Sequence, residues 1–370
     1  MVVRNHRLSV REIIKNGGEI FHKLRWAHGI VVCPYCGSIH IKEYNGYTYK
    51  CNSCKNRFSD KTNTLMHGSK LSVSTWMHAI YEMTTDNFIS SVVLATKLGI
   101  NQKSAWLLQT KIRNSMSQDR TILEGGIVAQ DEMYIGGSLS NFHYRRKWDL
   151  LRKGHFITGD EERYSKQALF ALNSSLKQPV FGMTDGDKVV LYATPNPIKK
   201  EYIRKIYKAH TRKGGIVVSD ESHLYIDWEK ATGSRLYTNN HHNNQYTTEN
   251  GLTSNSIENV FSWYKRGFNG KITHCKYHQL YLNEFAFRYN NRGLSTKEMF
   301  AMIVGSTIGS HVTYNQIREY NPYRMFISKA KQNEMDKKEK RRLKTLKWIL
   351  ENTDAKQIEN HHRIYRKGDL

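Results

Sequence analysis

The chain has 370 residues, with 57 Lys and Arg against 33 Asp and Glu, a formal net charge of +24 and a pI near 9.7. A charge of that sign selects polyanionic partners, nucleic acid first and an anionic membrane surface second, and disfavours a small-molecule enzyme, for which no cofactor fingerprint is present. No apolar run approaches the roughly 18 residues of a membrane span and the N-terminus lacks a signal peptide's apolar core, so a soluble, cytoplasmic protein is expected.

Residues 1–30 read as a helical lead-in, with Ile13, Ile14, Ile20, Phe21 and Leu24 as a partial stripe broken at Gly17-Gly18. Residues 31–60 hold two CxxC pairs, Cys33-Pro-Tyr-Cys36 and Cys51-Asn-Ser-Cys54. Two such turns can wrap one tetrahedral Zn2+ in four thiolates. In a reducing compartment this spacing points to metal rather than disulfide, and neither pair lies beside the βαβ pattern of a redox CxxC. Tyr44, Tyr47 and Tyr49 flank Asn45-Gly46 between the pairs and read as a hairpin, which makes the unit a zinc ribbon. Cys275 stands alone as an ordinary free cysteine.

After a linker over 59–69, residues 70–118 carry three helical patterns. Ser72 is placed to cap the first (Trp76, Met77, Ile80, Met83), Asp86 the second (Ile89, Val92, Val93, Leu94) and Asn101 the third (Ala105, Trp106, Leu108, Ile112). The second ends at Leu98-Gly99, so the last two form a helix-turn-helix pattern with Gln102, Lys103 and Ser104 heading a DNA-recognition helix. An ordinary helical bundle is the alternative.

From Gly125 the period changes. Strands are expected at 127–135, 167–173, 178–183, 187–193 and 216–220, with a polar insertion at 138–166 and a helix over 196–212 that has Pro197 near its start. This succession reads as an α/β sheet layer. Asp131 and Glu132 interrupt the buried strand 127–135, and Asp220 ends the strand 216–220. Such carboxylates either face water from an edge strand or are paired, hydrogen-bonded or metal-bound. The Asn- and His-rich stretch 236–250 reads as a polar loop. Asn255-Ser-Ile-Glu258 opens a helix on which Asn255 and Glu258 share a face, and Glu258 is read as a capping or salt-bridge residue. A helix over 276–291 sets Glu284 among apolar neighbours. Asp131, Asp220 and Glu284 then suit a pair of hard divalent cations, with Lys265, Arg266 and Arg288 available to phosphates. A charge-rich helix over 329–351, within a basic tail 311–370, reads as a solvated face or a phosphate grip.

The ribbon led by Arg25-Trp26, the helix-turn-helix, Asp131-Glu-Met-Tyr-Ile-Gly-Gly137, Asn255-Ser-Ile-Glu258 and Tyr281-Leu-Asn-Glu284-Phe-Ala-Phe-Arg-Tyr-Asn-Asn-Arg292 occur in that order. The arrangement resembles a bacterial insertion-sequence transposase of the DDE type with an N-terminal zinc ribbon, ISXO2-like and related to eukaryotic Merlin elements. The resemblance covers about residues 20–292 and is most specific in the last two helix motifs. It implies a ribonuclease-H-like catalytic domain at 122–310 that binds the ends of an insertion sequence, cleaves DNA strands and transfers them. Asp131, Asp220 and Glu284 would hold two Mg2+ or Mn2+, with Asn255 as accessory residue and Cys33, Cys36, Cys51 and Cys54 holding Zn2+. It further implies double-stranded DNA of element ends and target as partner, a homodimer or higher oligomer, and association with the bacterial nucleoid. One departure concerns the second acid, usually found in an Asp-Gly-Tyr-like context, whereas this chain has Asp220-Glu-Ser-His-Leu-Tyr225. Asp185-Gly186 is a local rival; Asp220 is preferred because it ends the strand after the crossover helix. A domesticated DNA-binding regulator and a metal-dependent nuclease without strand transfer are the other readings.

Overall fold

The computed structural model describes residues 9–26, 29–136, 143, 145, 177–212, 214–220, 222–239, 253–268, 277–318, 320–323 and 326. Residues 1–322 form one compact unit, and of the second, 323–370, only Tyr323 and Phe326 are described. The expected strand 167–173 and charged helix 329–351 lie outside the described residues.

Helix α1 (Val10–Arg25) kinks at Asn16. A Cβ on Gly17 would lie 2.7 Å from the Ser74 Cα, so glycine is what lets α1 cross α2 (Val73–Thr85) so closely. The ribbon follows as an antiparallel sheet of β1 (Ile41–Tyr44), β2 (Thr48–Cys51) and β3 (Arg57–Ser59). It is fastened to α1 through Asp60, whose carboxylate accepts from Trp26 Nε1 at 2.9 Å and meets His22 Nδ1 at 2.9 Å, while Arg25 donates to its carbonyl. The stretch expected as a linker is packed instead. Leu65 and Met66 are fully buried, Leu65 N–H donates to Thr307 O, and Gly309 N–H donates to Asn63 O.

Ser72 caps α2, Ser90 caps α3 (Ser91–Leu98) and Asn101 caps α4 (Gln102–Ser115), each side chain accepting a backbone N–H from three residues on. Asp86 is therefore not the cap of the second helix; it ends the first, its N–H bonded to Glu82 O. Glycine at position 99, with φ 62°, closes α3 and opens the short turn into α4. The apolar faces of α1 to α4 share one core with a helix from far along the chain, α9 (Thr296–Thr307), through residues such as Phe21, Met77, Leu108 and Ile303.

Beyond this helical layer stands a mixed five-stranded sheet ordered β6-β5-β4-β7-β8. Its centre is β4 (Ile127–Ile135), antiparallel to β5 (Gln178–Thr184) and parallel to β7 (Ile216–Asp220). β6 (Val189–Ala193) extends the antiparallel side and β8 (Arg235–Asn239) the parallel side. Strand β8 occupies the start of the stretch expected to be a polar loop; the remainder of that stretch, 240–250, lies outside the described residues. Helix α5 (Lys200–His210) links β6 to β7 and begins after Pro197, shorter than its 196–212 pattern suggested. The short α6 (Trp228–Thr232) links β7 to β8. Helices α7 (Asn255–Phe268) and α8 (His278–Asn290) follow, and α10 (Tyr314–Arg318) comes after α9.

Strand β6 is an edge by order, yet all five of its residues are buried. Side chains close its open hydrogen-bonding side: Val189 N–H donates to Asn290 Oδ1, Leu191 N–H to Gln118 Oε1 and Ala193 N–H to Gln279 Oε1. An edge so covered cannot pair with another strand. The bonds from Asn290 and Gln279 fix α8 along β6. Among the described residues no helix is long and apolar enough to cross a membrane.

Candidate functional site

Side chains alternate between the two faces of a strand, and directly paired residues point the same way. Asp131 pairs with Gly182 and Glu132 with Phe181, so the two acids face opposite sides of the sheet. Gly182 lies beneath α7; a Cβ there would stand 2.5 Å from the Phe261 ring. Asp131 therefore faces α7. Asp220 ends the parallel neighbour β7, and Glu258 lies in the first turn of α7. Between them sits the fully buried Ser254, its Oγ 3.4 Å from Asp220 Oδ1 and 3.2 Å from Glu258 Oε1. One hydroxyl proton is thus shared by two carboxylates. Behind the sheet, Tyr225 donates its hydroxyl to Glu132.

The electrostatics follow from this crowding. Burial first, and then the charges of Glu132, Asp220 and Glu258, push the Asp131 carboxyl up to about 7, against a backbone N–H bond from Glu132 that favours the charged form. Burial also raises Glu132, with the Tyr225 hydroxyl opposing it. Several half-buried carboxylates facing one another want a counter-charge, and an all-oxygen donor set suits Mg2+ or Mn2+ rather than a thiophilic metal. These carboxylates are less tightly gathered than the cysteines. Among the described residues only the four cysteine sulfurs, all within 4.8 Å of one another, form a closed metal-ligand group.

Glu284 is elsewhere. It lies on α8, which packs on β6, two strands from β4, and its side chain is 0% exposed. Arg113 Nε holds one oxygen at 2.6 Å; Arg288 at 3.3 Å and the Phe88 N–H at 3.4 Å hold the other. The structure does not bring Glu284 to Asp131 and Asp220, and it brings Glu258 there instead. Arg288, expected to meet phosphate, directs its guanidinium to Thr84 O and Asp86 O as well as Glu284, and its side chain is 15% exposed. Asp185 accepts N–H bonds from Glu124, Gly125, Asp187 and Lys188, which outweigh its burial and hold its carboxyl below the usual range. That is the role of a turn residue at the β5–β6 end of the sheet.

Asn255 is exposed at the first residue of α7, and Lys265 and Arg266 are exposed on its later turns. Gln102 and Lys103 are exposed and Ser104 half-buried at the start of α4, where Ser104 N–H is taken by the Asn101 cap. The signal for Glu258 was its place in the first turn of the helix after the last strand, where it reaches back over the sheet.

In the ribbon, Cys33 and Cys54 sulfurs lie 3.6 Å apart, as do those of Cys36 and Cys51. That is too far for a disulfide, whose S–S bond is about 2.05 Å. It is close to the roughly 3.8 Å edge of a tetrahedron with zinc–sulfur bonds of about 2.3 Å. The Cys54 backbone N–H, foremost among several bonds, pulls the Cys51 thiol down to about 6, favouring the thiolate that binds zinc. The four residues fit a structural Zn2+.

Comparison with known proteins agrees with this architecture. A model of the transposase zinc-ribbon domain matches residues 18–57, and one of the ISXO2-like transposase domain matches residues 122–290, together more than half of the chain. These matches place the chain among insertion-sequence transposases. Within that class it belongs to the ISXO2-like family, with its zinc ribbon at the N-terminal side. A similar curated protein is an uncharacterized protein in transposable element ISH50 of Halobacterium salinarum, 25% identical over 129 residues. That match spans 34% of this chain and 43% of the relative's length. No solved structure matches.

Proposed function

We propose that the chain is a DNA transposase whose catalytic carboxylates are Asp131, Asp220 and Glu258, and that it cleaves strands at the ends of its element and joins them to target DNA. The observation that carries this reading is the convergence of three acids from β4, β7 and α7, with Asp131 pushed up to about 7 by burial and then by the neighbouring carboxylates. The strand order, with an antiparallel half and a parallel half meeting at the acid-bearing β4, supports a ribonuclease-H-like domain. The capped pair α3–α4 supports a helix-turn-helix, and exposed Gln102 and Lys103 favour α4 as the DNA-reading helix.

Two Mg2+ or Mn2+ ions, when bound, would activate the attacking oxygen and stabilise the leaving one in an in-line phosphoryl transfer. Asp131 on β4, Asp220 at the end of β7 and Glu258 in the first turn of α7 would hold these ions. Ser254 keeps the last two carboxylates in register through its shared proton. Asn255 at the mouth of the site would orient a phosphate, and Lys265 and Arg266 would grip the backbone beyond it. Glu284, with both oxygens held by arginines and a backbone N–H, is assigned a structural role. The chain would act on double-stranded DNA in the nucleoid as a dimer or larger assembly.

The test is cutting and joining of labelled element-end duplex with Mg2+, comparing wild type with Asp131→Asn. Wild type should do both, and the variant should bind without doing either. Cutting without joining would favour a nuclease. End binding without cutting under Mg2+ or Mn2+ would favour a regulator, a reading that leaves the convergence of three acids unexplained.

A further inference from the structure

Phe88, in the loop between α2 and α3, is held in a backbone conformation that L-residues rarely adopt, at φ 55°. Its side chain is only 2% exposed. The ring is seated between two helices of the sheet layer: Tyr264 and Phe268 of α7 at 5.7 and 6.1 Å, and Tyr281 and Phe285 of α8 at 6.1 and 6.5 Å between centroids. Gly267 makes room for it, since a Cβ there would lie 3.0 Å from the ring. The loop backbone around Phe88 is gripped along its length. Arg288 takes Thr84 O and Asp86 O, Glu284 takes the Phe88 N–H, and Arg113 takes Ile89 O. A buried carboxylate and two arginines are costly to desolvate. Here they lock one loop in a strained pose with its ring inserted beside α7.

The same α7 carries Glu258. Between Glu258 and Tyr264 the helix rests on the sheet through Phe261, packed against Gly182. Glu258 and Tyr264 are six positions apart, about 9 Å along a helix, with Phe261 midway. Buried Ile257 and Val260 seat the same stretch of α7, which packs on β4 and β5, so a displacement of this one helix at Tyr264 and Phe268 is carried along it to Glu258.

We propose that Phe88, seated by the Glu284–Arg113–Arg288 cluster, is a positioning residue that sets the tilt of α7 and so places Glu258, coupling the α2–α4 helices to the carboxylate site. This rests on the assignment of Glu258 as a metal ligand. A misplacement of about 1 Å in a catalytic group can cost on the order of a hundredfold in rate, so the coupling has a measurable consequence. It gives a transposase a way to make catalysis depend on how its DNA-binding helices are engaged.

The experiment measures Mn2+ affinity by electron paramagnetic resonance, which needs neither DNA nor turnover, in wild type, Phe88→Ala, Phe88→Leu, Gly267→Ala and Glu258→Gln, all as full zinc-loaded chains. Circular dichroism and binding to an element-end duplex serve as folding checks. Phe88→Ala should fold and bind the duplex within about threefold of wild type, yet lose at least fivefold in Mn2+ affinity, with Phe88→Leu recovering most of it. If Phe88→Ala does not fold, Gly267→Ala, which crowds the ring without opening a cavity, carries the test and should also weaken Mn2+ binding. Wild-type Mn2+ affinity in whichever of these two variants carries the test overturns the coupling while leaving the carboxylate assignment standing. Unchanged affinity in Glu258→Gln overturns that assignment, and the coupling with it.

Discussion

Burial and three neighbouring carboxylates raise the Asp131 carboxyl to about 7, so without a bound cation the folded chain is stabilised by keeping a proton there. The unfolded value is near 3.9. A group raised in the folded state contributes its full stability below the unfolded pKa and loses it as pH rises through the folded one. Stability in Mg2+-free buffer should therefore fall between about pH 4 and pH 7. Asp131→Asn cannot ionise, so it should melt several degrees above wild type at pH 7.5, with the difference vanishing near pH 4 and shrinking when Mg2+ is added. Thermal denaturation at the two pH values checks this. Substitution at Glu284 should act on stability in the opposite direction, because this carboxylate is paired with buried Arg113, 1% exposed. Removing one partner of a buried pair typically costs about 3–5 kcal/mol. Denaturant unfolding should place Glu284→Gln near that loss, whereas Glu258→Gln should be close to neutral or stabilising.

At the scale of elements, the seat of α7 decides where its first turn lands. Gly182→Ala would put a methyl 2.5 Å from the Phe261 ring and force the helix off the sheet, an overpacking change of about 1–3 kcal/mol. The expected result is a loss of strand cleavage of tenfold or more with end binding retained, measured by single-turnover cleavage beside a gel-shift titration. The elements legible in the sequence were those with local signals: the caps Ser72 and Asn101, the ribbon's CxxC turns, and the apolar runs of β4, β5 and β7. Those misread depend on distant partners. Arg-Leu-Tyr-Thr-Asn is too short and polar to announce β8, and it is a strand because β7 offers a parallel edge. The apolar setting of Glu284 called for a partner, but nothing local pointed to Arg113, 171 positions away. Asp86 was a plausible cap by type, yet Ser90 holds the geometry.

At the scale of the molecule, chain order and spatial order diverge. Helix α9 follows the sheet in sequence but packs into the N-terminal helical core, and the segment after the ribbon binds the end of that same helix. The ribbon in turn is tied to α1 through Asp60. Zinc loss through Cys51→Ser should unfold β1 to β3 and loosen α1, leaving the five-stranded sheet protected; hydrogen exchange with metal analysis checks this distribution. With a net charge of +24, the proposed binding to element ends should weaken steeply with salt, because each neutralised phosphate releases counterions.

In the proposed site the acids from β4, β7 and α7, not that of α8, surround the catalytic ions. Substituting Fe2+ for Mg2+ and adding ascorbate with peroxide cuts the backbone wherever the ion is held. Cuts should cluster at Asp131, Asp220 and Glu258, be suppressed by excess Mg2+ and be lost in Asp131→Asn. Cuts at Glu284 with none at Glu258 would contradict this placement.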